Sequence, residues 1–363
     1  MVLELEVIIP PVTFLICGIQ QVGVGVVDLA AELRWCRSAL GIDVRIFDDE
    51  GEAALMLPYT GGAPQARRAV LVASLQGGSG LEVWHYSRRA PVPAGFEPLP
   101  GDLGITTVFI KSRDPRDAHA RLSSAGVPRI GSLTNDPAGD PCFVLRDPQG
   151  LPFRIGTGKD WFVRGKHPTA GVAGCMIGVR DVDRSLPFYR DILGYDQVVY
   201  DHSGAFDDLS DLGARARRVR RLLLARSGRN RGAFSPLLGS SRLELVQALD
   251  RAPRKIFAGR FWGDPGFIHL CFDVVGMDAL KARCAFLGHS FTVDSGQGLS
   301  MGDAAGRFAY VEDPDGTLVE FVETWRLPVM GKWGIAVDLR RRPAGKPLPR
   351  LMLRALGLNR VKV

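Results

Sequence analysis

Apolar and polar residues alternate along several short stretches of the chain, and helical patterns follow them. In residues 26–42, VVDLAAELRWCRSALGI, an apolar run ends at Asp28 and continues as an amphipathic segment that stops at Gly41. Aspartate is a common helix N-cap, and glycine is common just after a helix C-terminus. The pattern therefore predicts a strand that leads into a helix of about three turns.

The same pattern recurs later in the chain. Residues 179–195, VRDVDRSLPFYRDILGY, align with residues 26–42 without gaps, so that Asp181 and Gly194 take the places of the aspartate and the glycine. Self-similarity of this kind is the signature of an internal repeat. Further copies of the same unit are therefore expected elsewhere in the sequence.

Two further pairs of segments support the repeat. Residues 144–155 and 310–321 each predict a strand, a D-P-x-G turn and a second strand, and GLEVWHY (80–86) resembles RLELVQA (242–248). Together these pairs predict four units, each a strand, a helix and further strands. We place the units near residues 15–90, 102–160, 171–250 and 265–326, with linkers at 90–102 and 158–171 and a basic tail at the end.

The chain is moderately basic, with a formal net charge of +7 over 363 residues. Most of the basic residues are arginines, and they concentrate in residues 215–231 and in the tail. Neither segment interleaves aromatic residues as a nucleic-acid surface does. We therefore expect no nucleic-acid partner, and interpret the basic segments first as solvated charge and second as a field for an anionic substrate.

The sequence also bears on localisation. No run of 18 apolar residues occurs, so no transmembrane helix is expected. The first residues lack a basic region and are interrupted by Pro10 and Pro11, which is atypical of a signal peptide. The six cysteines are scattered and form no C-x-x-C pair, which favours free thiols. These features predict a cytoplasmic protein.

A V-x-D sequence before the helix and DPDG-x-x-x-E in the last hairpin resemble the vicinal oxygen chelate superfamily. This superfamily includes glyoxalase I, methylmalonyl-CoA epimerase, extradiol dioxygenases and fosfomycin-resistance enzymes. The resemblance covers roughly residues 15–326 and implies an α+β fold of tandem βαβββ modules paired into cupped mixed sheets. It implies two glyoxalase-like domains, residues 1–160 and 161–326, and leaves residues 327–363 as a basic C-terminal extension.

The resemblance also implies one divalent metal ion (Zn, Ni, Mn or Fe), with ligands from the first and a later strand of the modules. One pair of residues occupies these positions in each module: Gln21 and Glu82, Thr107 and Arg154, Gly174 and Glu244, and His269 and Glu320. Arg154 is a fixed cation and would repel a metal. The second module therefore offers no plausible ligand.

The ligand set depends on which modules pair. If the first pairs with the fourth, as in glyoxalase I-like arrangements, the set is Gln21, Glu82, His269 and Glu320. If neighbours pair, the second half offers Glu244 with His269 and Glu320. We prefer the crossed set and keep Glu244 as the alternative. The competing interpretation makes His269 a core histidine and places Glu82 and Glu244 on the solvent face of half-buried strands.

The resemblance implies metal-assisted proton transfer next to a carbonyl, by an isomerase, lyase or epimerase acting on a small molecule. Glu320 is the expected base, with Glu82 second. Candidate substrates are carboxylates, phosphates and CoA esters. An extradiol-type dioxygenase is one alternative, although Gly174 stands where the first histidine of its iron site belongs. A non-catalytic protein that sequesters a small molecule is another.

The tail contains a short amphipathic pattern. Its apolar residues at helical spacing are Leu348, Leu351, Met352, Ala355 and Leu356. Such a basic segment can lie on an anionic membrane, but it is short, so we expect it to pack on the body instead. KWGIAVDL, just before it, predicts an edge strand.

Overall fold

The structure is a computed structural model that describes residues 14–296, 299–301, 304–330 and 335–361. Within these residues the chain forms 18 strands and six α-helices, most of the helices short. The fold class is α+β, as the sequence predicts. No helix in the described part of the chain is long and apolar enough to cross a membrane.

The first half of the chain contains two strand–helix–strand modules. The first module comprises β1 (Leu15–Gly25), α1 (Leu29–Leu40), β2 (Val44–Glu52), β3 (Ala66–Ala73) and β4 (Gly80–Tyr86). The second comprises β5 (Gly104–Ser112), α2 (Pro115–Ser124), β6 (Thr134–Asn135), β7 (Pro141–Arg146) and β8 (Pro152–Thr157).

The second half repeats this order with longer insertions. The third module comprises β9 (Thr169–Gly178), α3 (Val182–Asp191), β10 (Gln197–Gly204), β11 (Val219–Ala225), α4 (Ser235–Leu238) and β12 (Arg242–Ala248). The fourth comprises β13 (Gly266–Val275), α5 (Met277–Phe286), β14 (Val293–Asp294), β15 (Leu299–Met301), β16 (Ala304–Glu312) and β17 (Leu318–Met330).

Local signals explain where these elements begin and end. The Asp28 carboxylate accepts a hydrogen bond from the Ala31 amide at 2.9 Å, and Gly41 closes α1 with a φ of 66°. Glycine adopts that left-handed conformation more easily than residues with a Cβ. In the last hairpin, Asp313 Oδ1 accepts hydrogen bonds from the amides of Asp315 (2.9 Å) and Thr317 (2.7 Å), which fixes the turn.

The modules pair in a crossed manner. β1 is antiparallel to β13, so the first and fourth modules share one continuous run of strands, β2-β3-β4-β1-β13-β17-β16, here called the outer-pair sheet. β5 is antiparallel to β9, so the second and third modules form the inner-pair sheet, β10-β11-β12-β9-β5-β8-β7. The division into domains 1–160 and 161–326 stays a prediction, since this pairing runs across it.

The tail packs back on the body, as predicted. β18 (Ile335–Asp338) pairs with β17 as an added strand, and α6 (Arg350–Ala355) follows. The first residues of the KWGIAVDL segment lie outside the described residues. Leu348 and Leu353 are buried in a cluster with Phe162 and Leu237. Apolar burial against the body therefore accounts for Leu348 and Leu353, whereas Leu351 of the predicted stripe is 78% exposed.

The structure corrects two expectations about charged residues. Glu82 and Glu244 are both buried, so the alternative that placed them on a solvent face is wrong. Arg221, in the segment interpreted as solvated charge, is fully buried, with 0% of its side-chain surface exposed. All six cysteines are buried free thiols.

Candidate metal centre

Four adjacent strands of the outer-pair sheet bring the crossed set of residues together. Gly23 on β1 lies opposite both Glu82 on β4 and His269 on β13. Cys271, two residues further along β13, lies opposite both Gln21 and Glu320. Since residues two apart on a strand share a face, this register places the four polar side chains on one side of the sheet.

The side chains converge closely. His269 Nε2 lies 3.3 Å from Glu82 Oε2 and 3.1 Å from Glu320 Oε2. Gln21 Nε2 donates a hydrogen bond to Glu82 Oε2 at 3.3 Å. One nitrogen or oxygen atom from each of Glu82, His269 and Glu320 lies within 4.8 Å of the other two, and all three residues are buried. We call these three residues and Gln21 the Glu–His–Glu cluster.

A glycine on β1 makes room for the imidazole. A Cβ at Gly23 would lie 2.4 Å from Cε1 and 2.6 Å from Nδ1 of His269. Real side chains do not tolerate such contacts, so any other residue at this position would displace the ring. Gly23 is thus part of the architecture that seats His269, although it offers no ligand atom itself.

Several polar atoms of the cluster are buried without a hydrogen-bond partner among the described residues. They are both ring nitrogens of His269, Oε2 of Glu320 and Oε1 of Gln21. Unpaired buried polar atoms are costly, and each one in a folded protein requires an explanation. A divalent cation could accept lone pairs from His269 Nε2, Glu320 Oε2 and Gln21 Oε1, because imidazole, carboxylate and amide oxygen are all common ligands; His269 Nδ1 would stay outside its coordination. The residues therefore fit a metal.

The cluster is electrostatically unusual. Burial by itself lowers the pKa of His269, but the carboxylates of Glu320 and Glu82 outweigh burial and raise this pKa to about 9. Two carboxylates so close to one imidazole create a negative potential that attracts a cation.

Aromatic side chains surround the cluster. The Trp262 ring stacks on His269 with centroids 5.9 Å apart, and Tyr310 meets the same imidazole edge-on at 5.6 Å. Trp84 contacts Trp262 at 4.1 Å between centroids. The indole N–H groups of Trp84 and Trp262 are buried and have no acceptor among the described residues. These donors remain available to a ligand oxygen.

The aromatic wall formed by Trp84, Trp262 and Tyr310 was not predicted from the sequence, although strand alternation marks two of its three residues. Trp84 lies two residues after Glu82 on β4 and therefore shares its face, and Tyr310 lies directly opposite Glu320 across β16 and β17. Strand alternation could have identified both residues. Trp262 belongs to the irregular segment before β13, where no periodicity marks it.

A cavity of about 350 Å³ adjoins the cluster. Trp262 and Ile268 line it, and the ring of Trp262 stacks on His269. The remaining wall is mainly apolar, with several aromatic residues, and its charged residues are Lys255, Arg260 and Glu312. This size lies within the usual range of small-molecule sites.

The equivalent position of the inner-pair sheet is filled by ion pairs. Glu244 Oε1 lies 2.5 Å from Arg221 Nε, and its Oε2 lies 3.1 Å from an Arg154 nitrogen. Asp208 bonds Arg221 through both carboxylate oxygens, at 2.6 and 2.9 Å, and Tyr200 Oη donates to Glu244 at 2.9 Å. We call these five residues the arginine network. Its two guanidinium groups exclude a metal.

The other two sequence-predicted positions of this sheet also lack ligand character. A Cβ at Gly174 would lie 1.7 Å from the Arg242 carbonyl oxygen, so no side chain fits there. Thr107 is buried, and its hydroxyl has no hydrogen-bond partner among the described residues. The structure therefore leaves Glu244, the alternative ligand, in a different sheet from His269 and Glu320.

Comparisons with known proteins agree with this architecture. The family model of the Glyoxalase/Bleomycin resistance protein/Dioxygenase superfamily matches residues 171–321. Glyoxalase I from Zea mays is similar in structure, with 14% identity over 86% of this chain and 92% of that chain and a TM-score of 0.53. A putative dioxygenase from Bacillus subtilis aligns with a TM-score of 0.54, at 12% identity over 85% of this chain and 86% of that chain. No curated protein matches the sequence significantly.

The family match thus concerns residues 171–321, which contain most of the third and fourth modules. The two solved structures share the fold of this chain over most of their length, and at these identities the likeness concerns the fold alone.

Proposed function

We propose that the Glu–His–Glu cluster holds one divalent metal ion and that the chain is a metal-dependent enzyme for proton transfer next to a carbonyl. The observation that supports this most strongly is the convergence of buried Glu82, His269 and Glu320, in which His269 and Glu320 have polar atoms without a hydrogen-bond partner among the described residues. Reactions of this class are isomerisations, epimerisations and lyase eliminations.

In this proposal the metal ligands, the general base and the aromatic residues have different roles. A divalent ion held by these ligands supplies a Lewis acid for a substrate carbonyl oxygen. Glu320 is our candidate for the general base and acid, since its Oε2 accepts no hydrogen bond in the described residues, whereas Gln21 holds Glu82 through its Oε2. The aromatic wall excludes water, which strengthens the electrostatic interactions inside the site.

The donor set separates this proposal from the ring-cleaving alternative. Non-haem iron dioxygenases use two histidines and one carboxylate. The cluster contains one histidine and two glutamates, so it supports proton transfer better than oxygen activation. For the substrate we propose a small molecule with a carbonyl group. An anionic part of it would face Lys255 in the adjoining cavity, where Arg260 donates to backbone carbonyl groups and Glu312 adds one negative charge.

Solvent exchange tests the reaction class directly. The protein is reconstituted with Zn²⁺, Ni²⁺, Mn²⁺ or Fe²⁺ and incubated in D2O with a panel of 2-hydroxy carbonyl compounds and 2-substituted thioesters. Proton NMR then reports loss of the C–H signal next to the carbonyl. We expect exchange with at least one metal form, and a reduction of about 100-fold or more in Glu320→Gln measured at saturating metal.

A matched control separates loss of the base from general damage. Glu50 is an exposed glutamate on β2, and Glu50→Gln should retain the full exchange rate. Oxygen consumption with a catechol by the iron-loaded protein would replace the proposal with the dioxygenase alternative. Stoichiometric binding of a panel compound without any exchange would favour the sequestration protein instead.

A further inference from the structure

The two basic segments of the sequence meet at a second cavity, which is distinct from the one beside the Glu–His–Glu cluster. The cavity has a volume of about 560 Å³. Its walls come from the end of β5, the linker after β8, residues 225–242 of the third module, and α6 of the tail. None of the Glu–His–Glu cluster residues lines it.

The charge of this cavity is strongly unbalanced. Five cationic side chains line it, and Asp160 is the one acidic residue among its lining residues. The five cations are Lys111, Arg226, Arg229, Arg242 and Arg350.

Most of these cations lack a carboxylate partner. Among the residues that the structure describes, Arg226, Arg229 and Arg350 form no ion pair, and Arg242 has only a distant contact with Asp140 at 3.9 Å. By contrast, many arginines elsewhere in the chain, such as those of the arginine network, have close carboxylate partners. Like charges left unpaired around one concave surface repel each other. An anion in the cavity would relieve this repulsion.

Lys111 is the most deeply buried of the five cations that line the cavity. Its side chain is only 2% exposed, and its Nζ donates to the Asp160 carbonyl oxygen at 2.8 Å while lying 3.8 Å from the Asp160 carboxylate. Burial of an ammonium group with one partly exposed acid as its only ionic partner is unfavourable. The Trp161 ring flanks the ammonium group at 5.3 Å.

We propose that this cavity is a second binding site, for the phosphate group of a small organic molecule. Arginine forks bind phosphate oxygens in pairs, and four arginines line this cavity. The volume suits a compact ligand rather than a polymer. Trp161 supplies an apolar face for the organic part of the ligand.

Calorimetric titration with inorganic phosphate tests this site on the full chain. The test variant is Arg226→Gln/Arg350→Gln, which removes one cation from the third module and one from the tail without touching the buried Lys111. The matched control is Arg215→Gln, because Arg215 is an exposed arginine of the same basic segment that does not line the cavity. A second comparison uses His269→Ala.

We expect one saturable phosphate site in the wild type. Its affinity should fall about tenfold or more in the double variant and stay unchanged in Arg215→Gln and His269→Ala. Absence of saturable binding at millimolar phosphate would overturn the proposal. An equal loss in Arg215→Gln would assign the binding to diffuse surface charge, and a loss in His269→Ala would assign it to the metal centre; either result also refutes the second site.

Discussion

Replacing Arg221 with methionine tests whether the inner-pair sheet is held by its arginine network. Arg221 is fully buried and makes three short contacts, one with Glu244 at 2.5 Å and two with Asp208 at 2.6 and 2.9 Å. Methionine has a similar volume and no charge. The variant therefore removes the central cation and leaves two buried carboxylates to share Arg154.

The expected cost follows from this geometry. Removing one partner of a buried ion pair costs about 3–5 kcal/mol, because the remaining charge stays desolvated. Arg154 remains 3.1 Å from Glu244 and 3.5 Å from Asp208 and compensates in part. We therefore expect the free energy of unfolding to fall by about 3 kcal/mol, at the lower end of that range.

The neighbouring arginine provides a matched control. Arg220 also lies on β11 and also binds two carboxylates, those of Asp183 and Asp201, but these contacts are at the surface. Arg220→Met should cost less than about 1 kcal/mol, since exposed ion pairs contribute little. Urea denaturation monitored by circular dichroism measures both variants. A loss in Arg221→Met no greater than in Arg220→Met would refute the reasoning.

The pH dependence provides a second check. Burial opposes ionisation of Glu244, but Arg221 and Arg154 outweigh burial and lower its pKa. Its contribution to stability is therefore present above the unfolded pKa of about 4.3 and is lost as the pH falls through the lower folded value. The stability difference between wild type and Arg221→Met should shrink in this acidic range. A difference that grows on acidification would contradict the assignment.

Three further predictions address other parts of the molecule. Gln21→Leu removes both a candidate ligand oxygen and the hydrogen bond to Glu82, and should weaken metal affinity about tenfold in a chelator competition; unchanged affinity would show that Gln21 does not contribute to the site. Burial and the nearby Asp147 carboxylate raise the pKa of Glu32, so the ionised carboxylate destabilises the fold at neutral pH. Glu32→Gln should therefore raise the melting temperature at pH 7 with no gain near pH 4. A gain that is largest at pH 4 would contradict the raised pKa. Leu353→Ala removes a buried tail anchor, at a cost of about 2–5 kcal/mol, and should speed tryptic cleavage of the tail; an unchanged rate would show that Leu353 does not anchor it.

Local features of the fold could be predicted from the sequence because local residues determine them. The strands at 80–86 and 242–248 have the predicted bounds, and Asp28 and Gly41 frame α1 as expected. Capping, strand alternation and turn chemistry each depend on a few neighbouring residues. These signals therefore remain visible in a single sequence.

The pairing of modules could not be decided in the same way. β1 and β13 are about 250 residues apart, and both are apolar strands that could pair with several others. Their register depends on complementary surfaces that no local pattern records. The ligand set stayed open for this reason, although each of its members was identified from the resemblance.

Buried charges were the main error of the sequence interpretation. Arg221 stands in a segment rich in arginines, which is typical of a solvated surface. Its burial depends on Asp208, which lies 13 residues earlier in the chain, and on Glu244, which lies 23 residues later. Because these partners are not neighbours in the sequence, the burial of Arg221 could not be predicted without the three-dimensional structure.

Metal content of the purified, reconstituted protein tests the central claim most directly. Inductively coupled plasma mass spectrometry is applied to the wild type, Glu82→Gln, His269→Ala and Glu244→Gln, with circular dichroism to confirm that each is folded. The account predicts one equivalent of metal in the wild type and in Glu244→Gln, and loss of the metal in the other two variants. Metal retained in Glu82→Gln but lost in Glu244→Gln, or no metal bound by the wild type at all, would contradict it.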